Sequence, residues 1–149
     1  MEFIEKVKLF NAIAGQPEEF NPRKIALYVG LICEEFAEII DSFDSGELAE
    51  LADTLDDFSL RFKSGAYDNL AAKVDCVEFL DGCIDVAVVA TGAAICVGAD
   101  IVPAFHHIAD NNLSKYNLVD GEYVVLRDEN GKIMKPSNYQ KPNLAPFFK

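Results

Sequence analysis

Residues 21–41 read NPRKIALYVGLICEEFAEIID, and this stretch decides the fold class. Asn21 before Pro22 is a helix start: the asparagine side chain can accept from an early backbone N–H, and the fixed φ of proline suits the first helical position. Beyond it Leu27, Leu31, Ile32, Phe36, Ile39 and Ile40 recur at helical spacing, and the run continues to about Phe43 with no breaker but Gly30. Inside this apolar pattern Glu34, Glu35 and Glu38 share about a third of the helix circumference. Like charges at that spacing repel, and no Lys or Arg lies between Lys24 and Arg61 to relieve them.

The helical period extends in both directions. Phe3, Val7, Phe10 and Ile13 predict a first helix ending at Ala14-Gly15. Ser45 to about Lys63 predicts a third, Leu70 to about Val97 a long fourth, and Ile101 to Asn111 a short fifth. The fourth is rich in small residues, and its apolar stretch from Gly82 to Ala99 reads as a core helix buried on nearly every side. It is short for a membrane span, contains Asp85, and is flanked by Asp81 and Asp100 instead of basic anchors. After Lys115 the pattern changes. Residues 121–135, GEYVVLRDENGKIMK, alternate polar and apolar about Asp128-Glu129-Asn130-Gly131, which predicts a β-hairpin with Asn-Gly in its turn. The expected fold is therefore all-α: a four-to-five-helix bundle over residues 1–118, then a small hairpin and extended tail over 119–149, packed on the same domain or on a partner subunit.

Composition bounds the function. A chain of 149 residues, 50% hydrophobic, holds one core. Its net charge of −12 opposes a broad grip on nucleic acid or an anionic membrane. A phosphorylated substrate stays possible if divalent cations stand between acids and phosphates. Cys33, Cys76, Cys83 and Cys96 form no CxxC pair and read as small buried hydrophobes in a reducing cytosol. The amphipathic N-terminus MEFIEKVKLF shows no signal-peptide core, so the expected location is cytoplasmic.

A second acidic cluster lies in the fourth helix, where Glu78, Asp81 and Asp85 fall at i, i+3 and i+7. Asp85 has no basic neighbour in sequence, and a buried carboxylate of that kind needs a partner or a metal. Each cluster alone also reads as a solvent-facing acidic stripe. Together, two helices with clustered carboxylates suit a hard oxygen cage for Mg²⁺ or Mn²⁺. Iron chemistry is disfavoured, because His106 and His107 are adjacent and neither follows a Glu at the di-iron spacing.

At these residues the chain resembles the all-α nucleoside triphosphate pyrophosphohydrolase superfamily, in its short MazG-like, phosphoribosyl-ATP pyrophosphohydrolase-like branch. Glu34, Glu35 and Glu38 match its EExxE cluster. Glu78-Phe79-Leu80-Asp81 matches ExxD, and Asp85-Val86 resembles an Asp that precedes an apolar residue. FHHIADNNLSKY (105–116) resembles a segment ending in Asn-x-Ser-Lys, although Asp110 stands where a basic residue is common. GKIMKPSNYQKPNL resembles the C-terminal extension of that branch, so the likeness runs from about Phe3 to Pro142.

The resemblance implies hydrolysis of a nucleoside triphosphate between its α and β phosphates, giving a monophosphate and pyrophosphate. It implies Mg²⁺ (or Mn²⁺) held by Glu35, Glu38, Asp81 and Asp85, with Glu78 as a further ligand. Glu34 or Glu35 would be the general base, and Asn112 and Lys115 the nucleotide contacts. Elementary chemistry agrees: bound cations neutralise phosphates and acidify water, a carboxylate takes the proton, and Lys115 stabilises phosphate charge. Arg23 and Lys24 read as surface charges. Alternatives are phosphoribosyl-ATP pyrophosphohydrolase activity, a dUTP preference, or a non-catalytic nucleotide-binding helical oligomer. A homodimer or homotetramer is expected, since one small bundle cannot cover so apolar a fourth helix.

Overall fold

The computed structural model describes residues 1–16, 18–129 and 133–148. Among these, the helices are α1 (Phe3–Ile13), α2 (Pro22–Asp41), α3 (Gly46–Ser64), α4 (Asp68–Ala71), α5 (Cys76–Cys96) and α6 (Ile101–Leu113). Strands β1 (Asn117–Val119) and β2 (Glu122–Val124) pair antiparallel, and a 3₁₀ turn covers Ala145–Phe147. Helix makes up 63% of the described residues, so the class expected from periodicity holds. The chain divides into two compact units, Glu18–Phe79 and Met1–Pro17 with Leu80–Lys149.

In the first of these units, Asn21 caps α2 as its position predicts, its Oδ1 accepting from the Lys24 backbone N–H at 3.0 Å. The seam between α2 and α3 is made of small residues. Ala26, Gly30 and Ala37 are buried on α2, facing buried Ala52 and Ser59 of α3. A Cβ on Gly30 would stand 2.9 Å from the Ser59 carbonyl oxygen, so glycine is what permits this approach. Arg23, expected as a plain surface charge, instead fastens the seam. Its guanidinium donates to the Phe62 carbonyl at 3.2 Å and to that of Lys63, two acceptors in the last α3 turn. Gly65, at φ 92°, ends α3 in the left-handed conformation.

The single long helix expected from residue 70 to 97 is broken into α4 and α5. Asp75 is the reason: its Oδ1 accepts from the backbone N–H groups of Val77 at 2.9 Å and Glu78 at 3.3 Å, starting a new helix.

In the other unit, α1 and α6 pack through aromatic pairs, Phe3 on Phe105 at 5.1 Å and Phe10 on Tyr116 at 5.0 Å. The Tyr116 hydroxyl donates to the Phe10 carbonyl at 3.0 Å. The tail returns to the same unit. Asn111 donates to the Gln140 carbonyl at 2.8 Å, and the Asp100 N–H donates to the Phe147 carbonyl at 2.7 Å.

The strand pair lies upstream of the expected hairpin. Its two-residue turn is Asp120-Gly121, with φ 52° and 85°, the conformation that an Asp-Gly turn adopts between twisted strands. The expected Asn130-Gly131 turn falls outside the described residues; Arg127 and Ile133 on its two sides form an isolated antiparallel bridge. Placing a β-branched side chain at Gly121 should cost about 1–2 kcal/mol. Gly121→Val is expected to accelerate amide exchange in β1–β2 about tenfold, leaving α1 and α6 protected. Unchanged strand exchange would contradict this turn.

The fourth-helix expectation needs a further correction: no residue of α5 is buried. Val77, Leu80, Ile84 and Val88 stand exposed along it. By length and composition α5 could cross a membrane. The cysteines also differ from expectation, with Cys76 and Cys96 exposed and Cys33 and Cys83 half-buried. Burial pushes the Cys33 thiol above its usual pKa.

Candidate functional site

The α2–α3 seam dictates where the glutamates of α2 point. At 3.6 residues per turn, Glu34, Glu38 and Glu35 lie about 40°, 80° and 140° around the helix from Gly30. Glu34 therefore sits at the edge of the seam, half-buried, with Oε1 3.0 Å from Lys63 Nζ in the last turn of α3. Glu35 and Glu38 are exposed. The acidic stripe that lacks a basic neighbour in sequence thus gains one across the seam. Lys63 was not foreseen, and the only signal for it was its place at the C-terminal end of a helix, where a cation also complements the helix dipole.

On α5 the three acids separate into two kinds. Glu78 occupies the first turn, where a carboxylate favours the helix N-terminus whatever else it does. Asp81 and Asp85 are four apart on one face and exposed. The expectation that Asp85 is buried does not hold, and the argument from the cost of burial falls with it.

Among the described residues, no three His, Cys, Asp or Glu side chains come together closely enough to hold a metal ion. The α2 cluster belongs to the unit Glu18–Phe79, while Asp81 and Asp85 belong to the other. The acidic cluster on each helix offers carboxylate oxygens, and this donor chemistry fits a hard cation such as Mg²⁺ or Mn²⁺.

The end of α6 does bring the two expected nucleotide contacts together: Lys115 Nζ donates to Asn112 Oδ1 at 2.7 Å. Asp110, the departure from a basic residue, is answered from α1 by Lys6 at 2.5 Å. The same helix end, the β1–β2 pair and the tail enclose a cavity of about 670 Å³. Tyr116, Tyr123 and Tyr139 line it together with the amides of Asn117, Asn138 and Gln140. Nothing in the spacing of these residues marks them as a set, since the tail must fold back before they meet. His107, in contrast, is occupied in packing, its ring 5.3 Å from that of Phe147. Comparison with protein-family models, curated proteins and solved structures finds no match to this chain.

Proposed function

We propose that this chain is a Mg²⁺-dependent nucleoside triphosphate pyrophosphohydrolase with a MazG-like helical bundle, releasing a nucleoside monophosphate and pyrophosphate. The observation that carries the reading is the pair of exposed carboxylate sets, Glu35 with Glu38 on α2 and Asp81 with Asp85 on α5. Glu35, Glu38, Asp81 and Asp85 are the proposed Mg²⁺ ligands, with Glu78 as a further one. When bound, the cation supplies charge neutralisation at the phosphates and a more acidic water.

Glu34 stands outside that set and is held by Lys63, so we assign it the proton of the attacking water, with Glu35 as the alternative acceptor. Lys115 and Asn112, already bonded to each other, form the contact for the nucleotide. The test is pyrophosphate release from a panel of nucleoside triphosphates, with dUTP and phosphoribosyl-ATP included, with Mg²⁺ and with chelator. Metal-dependent release supports the assignment. Binding of every nucleotide without release would replace it with the non-catalytic alternative.

Lys63→Met isolates the role of Glu34. Because the ion pair is partly exposed, its loss should cost no more than about 1 kcal/mol of stability. Misplacing a base is expected to lower kcat roughly 10- to 100-fold at similar KM. An unchanged kcat would remove Glu34 from the proton-transfer role.

A homodimer or homotetramer is part of the same reading, with α5 against another copy. The exposed apolar side chains along α5 are what such a contact would bury. Sedimentation at micromolar concentration should give a dimer or larger species, and a stable monomer would contradict it. Alkylation of Cys76 and Cys96, at the two ends of α5, is expected to slow as protein concentration rises.

A further inference from the structure

The cavity at the end of α6 has a chemistry unlike that of the carboxylate helices. Of the five tyrosines in the chain, Tyr116, Tyr123 and Tyr139 line it. Its other polar walls are amides and a hydroxyl, and its single charged residue, Asp110, is paired with Lys6. No Lys, Arg or His is among its lining residues, so it offers no cation to a phosphate. A cavity of about 670 Å³ lies within the usual range of small-molecule sites, about 300–1,000 Å³.

We propose that this cavity is a nucleobase pocket, in which a flat, neutral heterocycle packs on the exposed Tyr123 ring and has its hydrogen-bonding edge read by side-chain amides. The proposal rests on the nucleotide reading above and adds to it the part of the substrate that the carboxylates do not touch.

Two features of the walls carry it. The first is that the frame is held before any ligand arrives. Asn111 uses both ends of its amide, accepting from the Tyr139 hydroxyl at 3.0 Å and donating to the Gln140 carbonyl at 2.8 Å, which fixes the tail against α6. The Tyr116 hydroxyl is spent on the Phe10 carbonyl, which leaves this tyrosine anchored and 3% exposed, with Tyr123 edge-on at 6.4 Å. Tyr116 thus serves as the floor, and the exposed Tyr123 offers the ring on which a base can stack.

The second is that the reading groups remain available. Among the described residues, the side-chain amides of Asn117, Asn138 and Gln140 hold no hydrogen bond to the protein. An amide pairs a donor with an acceptor, the complement of the edge that each base presents. The direction of the rest of the nucleotide also follows from the chain, because Ser114 lines the cavity and the next residue is Lys115. Lys115, beside that lining residue, and Lys135, 4.7 Å from the Tyr139 ring, are cations at the border of the pocket to which a phosphate attached to a bound base could turn.

The experiment uses phosphate-free nucleosides, which separate the pocket from any metal and phosphate chemistry. The full chain, labelled for side-chain amide resonances, is titrated to millimolar concentration with uridine, cytidine, adenosine and guanosine, and with ribose 5-phosphate as the base-free control. At least one nucleoside should shift the Asn117 and Asn138 side-chain signals, and ribose 5-phosphate should not. Asn138→Leu, at an exposed tail position, should weaken that binding about tenfold with an unchanged melting temperature. In turnover it should raise KM and leave kcat alone. Glu38→Gln should keep nucleoside binding intact while losing pyrophosphate release. No shift with any nucleoside, or equal shifts with ribose 5-phosphate, overturns the pocket even if pyrophosphate is released. Nucleoside binding without pyrophosphate release upholds the pocket and overturns the hydrolase reading alone.

Discussion

Glu38→Gln should release pyrophosphate about 100-fold more slowly than the unaltered chain at saturating Mg²⁺, and so should Glu35→Gln and Asp85→Asn. Each change keeps the shape of the side chain and removes the charge that a hard cation requires. The exposure of all three residues makes the test sharper. None supports a core, so a lost rate cannot be blamed on a lost fold. Without metal, Glu38→Gln should be slightly more stable, by about 0.5 kcal/mol, since it relieves repulsion from Glu34 one helical turn away. Glu78→Gln should stay within a few fold, because the first turn of α5 already accounts for that carboxylate. A solvated acidic stripe would leave all four amides near the original rate. Near-normal turnover in Asp85→Asn alone would refute the assignment of α5 as a metal-bearing helix.

Gly30→Ala should be destabilising even though alanine is the better helix former. The gain in propensity is worth about 1 kcal/mol. Against it, the new methyl would meet the Ser59 carbonyl oxygen and Lys63 Cγ at 2.9 Å and Phe62 Cβ at 3.0 Å. The carbonyl belongs to the backbone of α3 and cannot turn aside, so the helices must separate, and overpacking of this kind costs about 1–3 kcal/mol. Gly30→Leu should cost more and unseat the Lys63–Glu34 pair with it. Gly46→Ala, where nothing lies within 4 Å, is the control and should be close to neutral. Urea melts of the three variants decide the matter, and a Gly30→Ala chain as stable as the original would mean that the seam is looser than described.

Much of this architecture is legible in the residues because its causes are local. The Asn21-Pro22 start, the Ser64-Gly65 stop and the periodicity of the helices depend on neighbours a few positions away, and the structure reproduces them. Asp75 and Asp120-Gly121 were equally local signals: a capping aspartate and a dipeptide suited to a tight turn, the one hidden by the apolar run after it and the other by a second, similar turn downstream. What sequence does not carry is the company that residues keep across space. Lys63 reaches Glu34 only because three small residues of α2 let α3 approach, and the tyrosine-lined cavity exists only because the tail returns to α6. Asp85 shows the opposite failure, since an uncharged sequence context was taken for a buried one.

The division of the chain also orders its assembly in time. Glu18–Phe79 is one continuous segment, so its helical hairpin closes a short loop and can form as soon as those residues are made. The other unit joins Met1–Pro17 to Leu80–Lys149, and its Tyr116–Phe10 hydrogen bond spans 106 residues. During synthesis α1 therefore waits, amphipathic and without its aromatic partners, until α6 has emerged. Pulse-labelled amide exchange should find α2 and α3 protected first and α1 last, so that α1 precedes α2 and α3 in translation and follows them in folding.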